Sequence, residues 1–496
     1  MLPSSSRLTP LRLIGFSLLA MPIAAVEVPL TTYLPPLYTR SFGFSLAALG
    51  LVFLVTRLLD AVIDPLVGAL SDRARGPHGR RRPYILLGGL LFGTGAVPLF
   101  FPPPHFGPVE LAAVLVIFFA GYSLMMIPYL AWVGELSSDY HERTRVTTYS
   151  WVLTSVGLLL ALVFPVLLTA LPAVLKAEPG LAALLPASLR DGAFAADPRV
   201  RLGSMGIVVF ALLVPALAIG PRAVAEQPAP AREDAPLSLA QSLKFLVGEV
   251  LLLRVLTSNF SVRVGQGIRT SLFVFVISFV MHRPDWAPGL FLLQYIVGVA
   301  AGPIWLAIGR RVGKHRAAVA GELVQAFINL GLLALAPDRI GLLLILTVAQ
   351  GLAQGSGNLM LRAIVADVAD HHRLKTGVDR TGLFFSVFSL SDKAAMAAAI
   401  GIALPLVAAF GFSPRGVNAP LALHGLLWVF ALGPALAHLV SAALVAGFPI
   451  TERRHQQIRA ELDARDALPA FPKPPDPGPG SLSPLPVHPF KSGVSQ

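Results

Sequence analysis

The sequence predicts an all-α membrane protein: twelve transmembrane helices in two six-helix halves. Three observations carry that reading. Hydrophobic residues make up 55% of the 496-residue chain and charged residues 13%, with a mean hydropathy of +0.70; in soluble domains about a quarter of residues are charged. Twelve apolar segments recur along the chain, each long enough for the ~20 residues a bilayer core demands. The loops between them alternate between strongly basic and weakly charged, as an even number of spans requires.

The first segment, 12–39, follows MLPSSSRLTPLR and exceeds a signal-peptide apolar region, so it reads as an uncleaved span. Pro22, Pro29, Pro35 and Pro36 are expected to kink it. Segments 44–72, 83–103, 107–136, 144–172 and 202–221 complete the first half, 1–220. The linker 221–243 begins PRAVAEQPAPAREDAP, which is Pro- and Ala-rich and charged, and is therefore expected to be polar and poorly folded. The second half, 244–451, holds segments 249–281, 286–310, 316–336, 338–367, 379–411 and 421–449. Several segments exceed 25 residues, which implies tilt or extension beyond the bilayer. GRRRPYILLGGLLFG after the second segment and GRRVGKHRAAVAGEL after the eighth form a weak internal repeat, as two related halves would. The Pro-rich tail, 452–496, is expected to be disordered.

The basic loops are SDRARGPHGRRRP, SSDYHERTR, GRRVGKHR and DHHRLKTGVDR, joined by TERRHQQIR at the start of the tail. They place both termini in the cytoplasm. FPPPHFGP, HRPDW, APDR and GFSPRGVN are the shorter outer loops, and 173–201 is a long, more basic exception. The net charge of +12 thus reflects topology and gives no reason to expect a nucleic-acid partner. With no cysteine, disulfides and cysteine-ligated metals are excluded. His371 and His372 are adjacent, lack metal-ligand spacing and read as loop residues. HExxH, GxSxG and phosphate-loop motifs are absent, so neither an enzyme nor a cofactor is expected.

Residues 54–83, LVTRLLDAVIDPLVGALSDRARGPHGRRRP, concentrate the chemistry. Asp60 and Asp64 are four apart on one helix face, with Arg57 a turn earlier. A charge at mid-bilayer costs roughly 2.5–3.5 kcal/mol on insertion scales and is functional by default. Two neighbouring carboxylates can hold Na⁺ through their oxygens or share a proton; pairing with Arg57 alone is the structural alternative. Lys393 lies inside the eleventh segment beside Asp392, and successive residues point about 100° apart, so the two cannot serve one face equally.

DPLVGALSDRARGPHGRRRP resembles the loop signature between the second and third helices of the major facilitator superfamily. In its fuller form, RLLDAVIDPLVGALSD followed by GRRRPYIL, it is similar to the glycoside–pentoside–hexuronide:cation symporters, the melibiose-permease branch. The resemblance implies the major facilitator fold in a bacterial inner (plasma) membrane and alternating access. It implies a cation-coupling set of Asp60, Asp64, Ser123 and Lys393. The fourth-to-fifth loop, GELSSDYHERTRV, looks like the family's cytoplasmic signature. Asp72, Arg80, Arg81, Glu135 and Arg143 are then expected to latch one conformation, with Asp367 and Arg380 doing the same in the second half.

The chain departs from the melibiose-permease pattern at Met126, where the family has an acid, at Leu130, where it has tryptophan, and at Trp151, where it has arginine. An acid on the first helix is also missing near Ala24. The expected substrate contacts are therefore Met126 and Trp151 at the altered positions, with Glu27, Gln266, Gln350, Gln354 and Asn358 as polar replacements. Gln350, Gln354 and Asn358 share a face by four-residue spacing, and Arg263 and Arg269 suit an anionic solute. The expectation is cation-coupled symport of a sugar or glycoside as a monomer, with a small-molecule solute and the lipid bilayer as partners. A lysolipid carrier is the alternative within transport; a non-transporting receptor or structural protein is the alternative outside it. Between the coupling ions H⁺ and Na⁺, the proton is favoured. Met126 removes a third carboxylate, a thioether is a poor ligand for a hard cation, and Lys393 adds positive charge.

Overall fold

The computed structural model describes residues 8–73, 79–136, 140–178, 180, 183, 197–226, 248–378 and 380–466. Among them there are helices and no strands, and twelve spans are long and apolar enough to cross a bilayer. In the first half these are α1 (Pro10–Ser41), α2 (Leu46–Arg73), α3 (Arg82–Phe100), α4 (Pro108–Glu135), α5 (Tyr140–Ala177) and α6 (Pro198–Ala223). The second half comprises α7 (Val250–Phe279), α8 (Ala287–Val312), α9 (Lys314–Gly331), α10 (Ile340–Thr376), α11 (Thr381–Ala409) and α12 (Pro420–Val445). All twelve fall on the twelve apolar segments. The surplus length of α5 and α10, at 38 and 37 residues, runs beyond what a bilayer core needs.

α1 is not one helix. Its α-helical pieces end at Ala25 and resume at Leu34, and Pro29–Tyr33 forms a π-helical turn between them. Proline has no amide hydrogen and its ring clashes with the preceding turn, so Pro22, Pro29, Pro35 and Pro36 leave gaps in the hydrogen-bond ladder that a wider turn accommodates.

Where two helices must approach closely, small residues set the distance. A Cβ on Gly121 of α4 would lie 2.2 Å from the Phe92 amide nitrogen of α3, and one on Gly88 of α3 would lie 2.5 Å from that of Met125. Neither backbone can yield without the helix moving. Gly121→Ala is therefore expected to destabilise the protein by about 1–3 kcal/mol through overpacking. Gly134→Ala in the same helix, whose Cβ meets nothing within 4 Å, should be neutral or slightly stabilising. Thermal melts of the purified variants check the pair.

Call the ends carrying the arginine-rich loops the basic face. The halves meet along α2 and α11, α5 and α8, and α1 and α7. Polar bridges between them cluster at the opposite face. Arg201 pairs with Asp285 at 2.7 Å, Arg415 Nε donates to the Thr39 carbonyl at 2.7 Å, and the Arg40 guanidinium lies 5.2 Å from the Phe279 ring centre. The opposite face is thereby closed.

Two expectations at the segment ends need correction. The tail from 452 is not disordered throughout: Glu452–Asp466 is a thirteenth helix, α13. Its Ile458 and Leu462, four apart and therefore on one face, are fully buried. Arg459 reaches Asp370 at 3.1 Å, and His455 lies 3.2 Å from Asp370 and 3.3 Å from Asp367. Residues 467–496 lie outside the described residues. The linker also begins in ordered form. The Glu226 carboxylate accepts the amides of Arg82 at 2.7 Å and Arg81 at 3.1 Å, and that of Arg80, so it caps the start of α3.

Candidate cation and solute site

α2 carries Asp60 and Asp64 on the face turned toward α11, and Lys393 of α11 enters between them. Its ammonium lies 2.5 Å from Asp64 Oδ2 and 3.1 Å from Asp60 Oδ2. Ser123 of α4 donates to Asp60 Oδ1 at 2.7 Å, and Lys393 is 3.4 Å from the same hydroxyl. Asp60 is wholly buried, while 19% of the Asp64 side chain is exposed. Arg57 approaches Asp60 at only 3.7 Å and lies over the Phe119 ring, 4.1 Å from its centre. Arg57 is thus shared between the carboxylate and the face of the Phe119 ring. The four residues expected from sequence do converge, and the ammonium, not Arg57, is the nearest counter-charge. A fifth participant went unrecognised in the sequence: the Tyr122 ring, 5.8 Å from Lys393 Nζ. Its position next to Ser123 on α4 was the available signal.

Asp392 turns the other way, as the 100° step between neighbours requires. It accepts from Arg263 Nε and from Asn259 of α7, both at 2.8 Å. Arg263 is therefore a partner of α11, and Arg269, six residues on, is buried and donates to Gln294 at 3.2 Å.

A cavity of about 340 Å³ lies between the halves, lined by Trp151, Arg263, Tyr295, Gln354, Asn358 and Arg362 among others. Its wall follows α10 from Gln354 toward the basic face at Arg362. Trp151 of α5 is 64% exposed, which is unusual for so large a ring unless it faces a cavity or lipid. Gln354 accepts from Gln294 at 2.9 Å, and Gln266 lies 3.5 Å from both Asn358 and Arg263. Glu27 of α1 is exposed. Met126 is half-buried against the core of the first half. Gln350 is the exception to the shared face. It is buried and donates its amide to Gln325 of α9, away from the cavity. Four residues advance a helix by 400°, so each step drifts 40° and two steps separate Gln350 from Asn358 by about 80°. Arg362 had no sequence signal beyond being an arginine within NLMLRAIV.

At the basic face, Arg81 bridges Glu135 at 2.6 Å and the Ser71 hydroxyl at 2.8 Å, and Arg80 reaches Glu135 at 2.6 Å. Lys314 pairs with Asp367 at 2.7 Å. Each of these contacts stays within one half. Arg380 stands immediately before α11. The side chains of Asp72 and Arg143 lie outside the described residues. His371 and His372 belong to α10 rather than to a loop, and His372 is buried against Glu249 at 3.0 Å.

Twelve spans in two halves, a charged cluster buried between them and a cavity closed toward one face define a membrane transporter. The chain belongs to the MFS/sugar transport protein family, whose model matches residues 15–452, and within it to the glycoside–pentoside–hexuronide symporter group. It is a transporter and not an enzyme. It is 24% identical over 453 residues to the "Uncharacterized symporter YnaJ" of Bacillus subtilis (strain 168), covering 89% of this chain and 92% of that one. It is 23% identical over 444 residues to the "Isoprimeverose transporter" of Lactiplantibacillus pentosus, covering 88% of each. A solved D-xylose-proton symporter superposes with a TM-score of 0.58 at 17% identity, covering 88% of this chain and 97% of that one, a likeness of fold.

Proposed function

We propose that the protein carries a sugar or glycoside across the membrane by alternating access, coupled to H⁺ through Asp60, Asp64 and Lys393. The solute class rests on the cavity. Trp151 offers a flat apolar platform, and Gln354, Asn358, Arg263 and Tyr295 present hydrogen-bonding groups around it, the combination that recognises a ring bearing hydroxyls. A lysolipid carrier would have less use for so many polar groups. The names of relatives that carry a sugar or a glycoside support the same class.

The observation that carries the choice of ion is the position of Lys393. Its ammonium already sits within 3.1 Å of both acids, where a coupling cation would have to lie. Na⁺ would need to displace it and gather about six oxygens, by analogy with other hard cations. Met126 supplies none. A proton needs no such coordination shell, and Asp64 Oδ1 is buried with no hydrogen-bond partner, so it can take one. Protonation of Asp64 releases the ammonium, loosens the α2–α11 contact and so links ion binding to the interface that must open.

By the positive-inside rule we place the basic face in the cytoplasm, which makes the described conformation inward-facing. Proteoliposomes at fixed membrane potential test the coupling: an inward pH gradient alone is expected to drive sugar accumulation and an inward Na⁺ gradient alone is not. The reverse outcome overturns the proton assignment and makes Glu27 the first suspect for a missing oxygen ligand.

A further inference from the structure

The second half carries another charged feature at its basic face, separate from the cation and solute site described above. The α8–α9 turn and the start of α13 enclose a pocket of about 370 Å³. Arg311, His315, Arg316, Arg453 and Gln456 line it, with Glu452 as the one acid among the lining residues. The three arginines are exposed, and among the described residues none has a hydrogen-bond or ion-pair partner. Their neighbours do: Lys314 is held by Asp367 at 2.7 Å and Arg454 lies 3.5 Å from Glu461. Topology explains positive charge on this face. It does not explain why guanidinium groups from two chain segments far apart in sequence converge on one hollow and stay unpaired while acids are available nearby. Three like charges in one pocket repel, and a shared anion relieves that repulsion. The planar fork of a guanidinium fits the oxygens of a phosphate better than a point charge does.

The position of the pocket selects the source of that phosphate. It lies where α8 ends and α9 begins, beside the chain leaving α12, at the level where apolar spans give way to polar chain. Exposed apolar side chains follow along both neighbouring spans: Leu323, Val324 and Phe327 on α9, and Leu436, Leu439 and Val440 on α12. They stand roughly 8–20 Å along the helix axes from the pocket, at 1.5 Å per residue, within reach of acyl chains. We propose that this pocket binds the phosphodiester headgroup of an anionic phospholipid, with Arg311, Arg316 and Arg453 as its ligands, and that the lipid thereby ties α13 to the α8–α9 turn. Glu452 leaves the lining in net positive charge, suited to a headgroup of one or two negative charges.

The test uses the full chain in nanodiscs of phosphatidylcholine, with and without phosphatidylglycerol. Wild type should melt at a higher temperature when phosphatidylglycerol is present and should retain that lipid in preference to phosphatidylcholine in native mass spectrometry. Each of Arg311→Gln, Arg316→Gln and Arg453→Gln should weaken retention about fivefold, and the triple variant should lose the thermal increment while melting like wild type in phosphatidylcholine alone. Because the triple variant could fail to fold, retention by wild type is read independently. Equal retention of the two lipids by wild type overturns the proposal. If inorganic phosphate added to phosphatidylcholine nanodiscs reproduces the full increment, the site takes a soluble anion and the lipid assignment is wrong. An unchanged increment in a folded triple variant places the lipid elsewhere.

Discussion

Asp64→Asn is expected to reduce gradient-driven accumulation to the level of protein-free liposomes while the protein still inserts and folds. The amide is nearly isosteric and can still pack between α2 and α11, but it neither carries charge nor exchanges a proton. Asp64 is the exposed member of the acid pair and holds the shorter contact to Lys393, 2.5 Å against 3.1 Å. It is therefore the residue through which an incoming proton would act on the α2–α11 contact. Exchange of labelled sugar at equal concentrations on both sides, which needs no net ion movement, should survive better than accumulation. Uptake driven by a pH gradient in a well-expressed Asp64→Asn protein would sink the coupling role.

Lys393→Met should be the more damaging change, because it harms the fold as well as the activity. Breaking a buried pair by removing one partner typically costs about 3–5 kcal/mol, since a charge is left uncompensated. Here two acids would be left facing each other, with Arg57 a distant 3.7 Å from one of them. The variant should melt well below wild type and accumulate nothing. Adding Asp60→Asn restores neutrality around Asp64 and Arg57 and should recover much of the lost stability but none of the accumulation. A double variant as unstable as Lys393→Met alone would show that the lysine acts by packing and not by charge.

Much of this was legible in the sequence, and the reasons differ by element. The twelve spans are written in local hydropathy, which a bilayer enforces residue by residue. Asp60, Asp64 and Lys393 stood out because charges within apolar segments are costly and rare. The pairing of Asp392 with Arg263 was not legible, because nothing local says that α7 and α11 lie side by side. Gln350 misled through a spacing that is only approximately one helical repeat. Ile458 and Leu462 were hidden by the proline-rich stretch that follows them, which dominates the composition of the tail while leaving its first fifteen residues free to fold.

That last helix bears on how the protein can be handled. A polypeptide cut after the final span, near Thr451, would strip Asp367 and Asp370 of His455 and Arg459 and expose the apolar surface that Ile458 and Leu462 cover. Shortened versions made for purification are then prone to stick to one another at that bared patch, a defect easily mistaken for natural oligomerisation. Affinity tags and fluorescent reporters belong beyond Asp466, and the same fifteen residues form a natural module to transplant when chimaeras of related carriers are built.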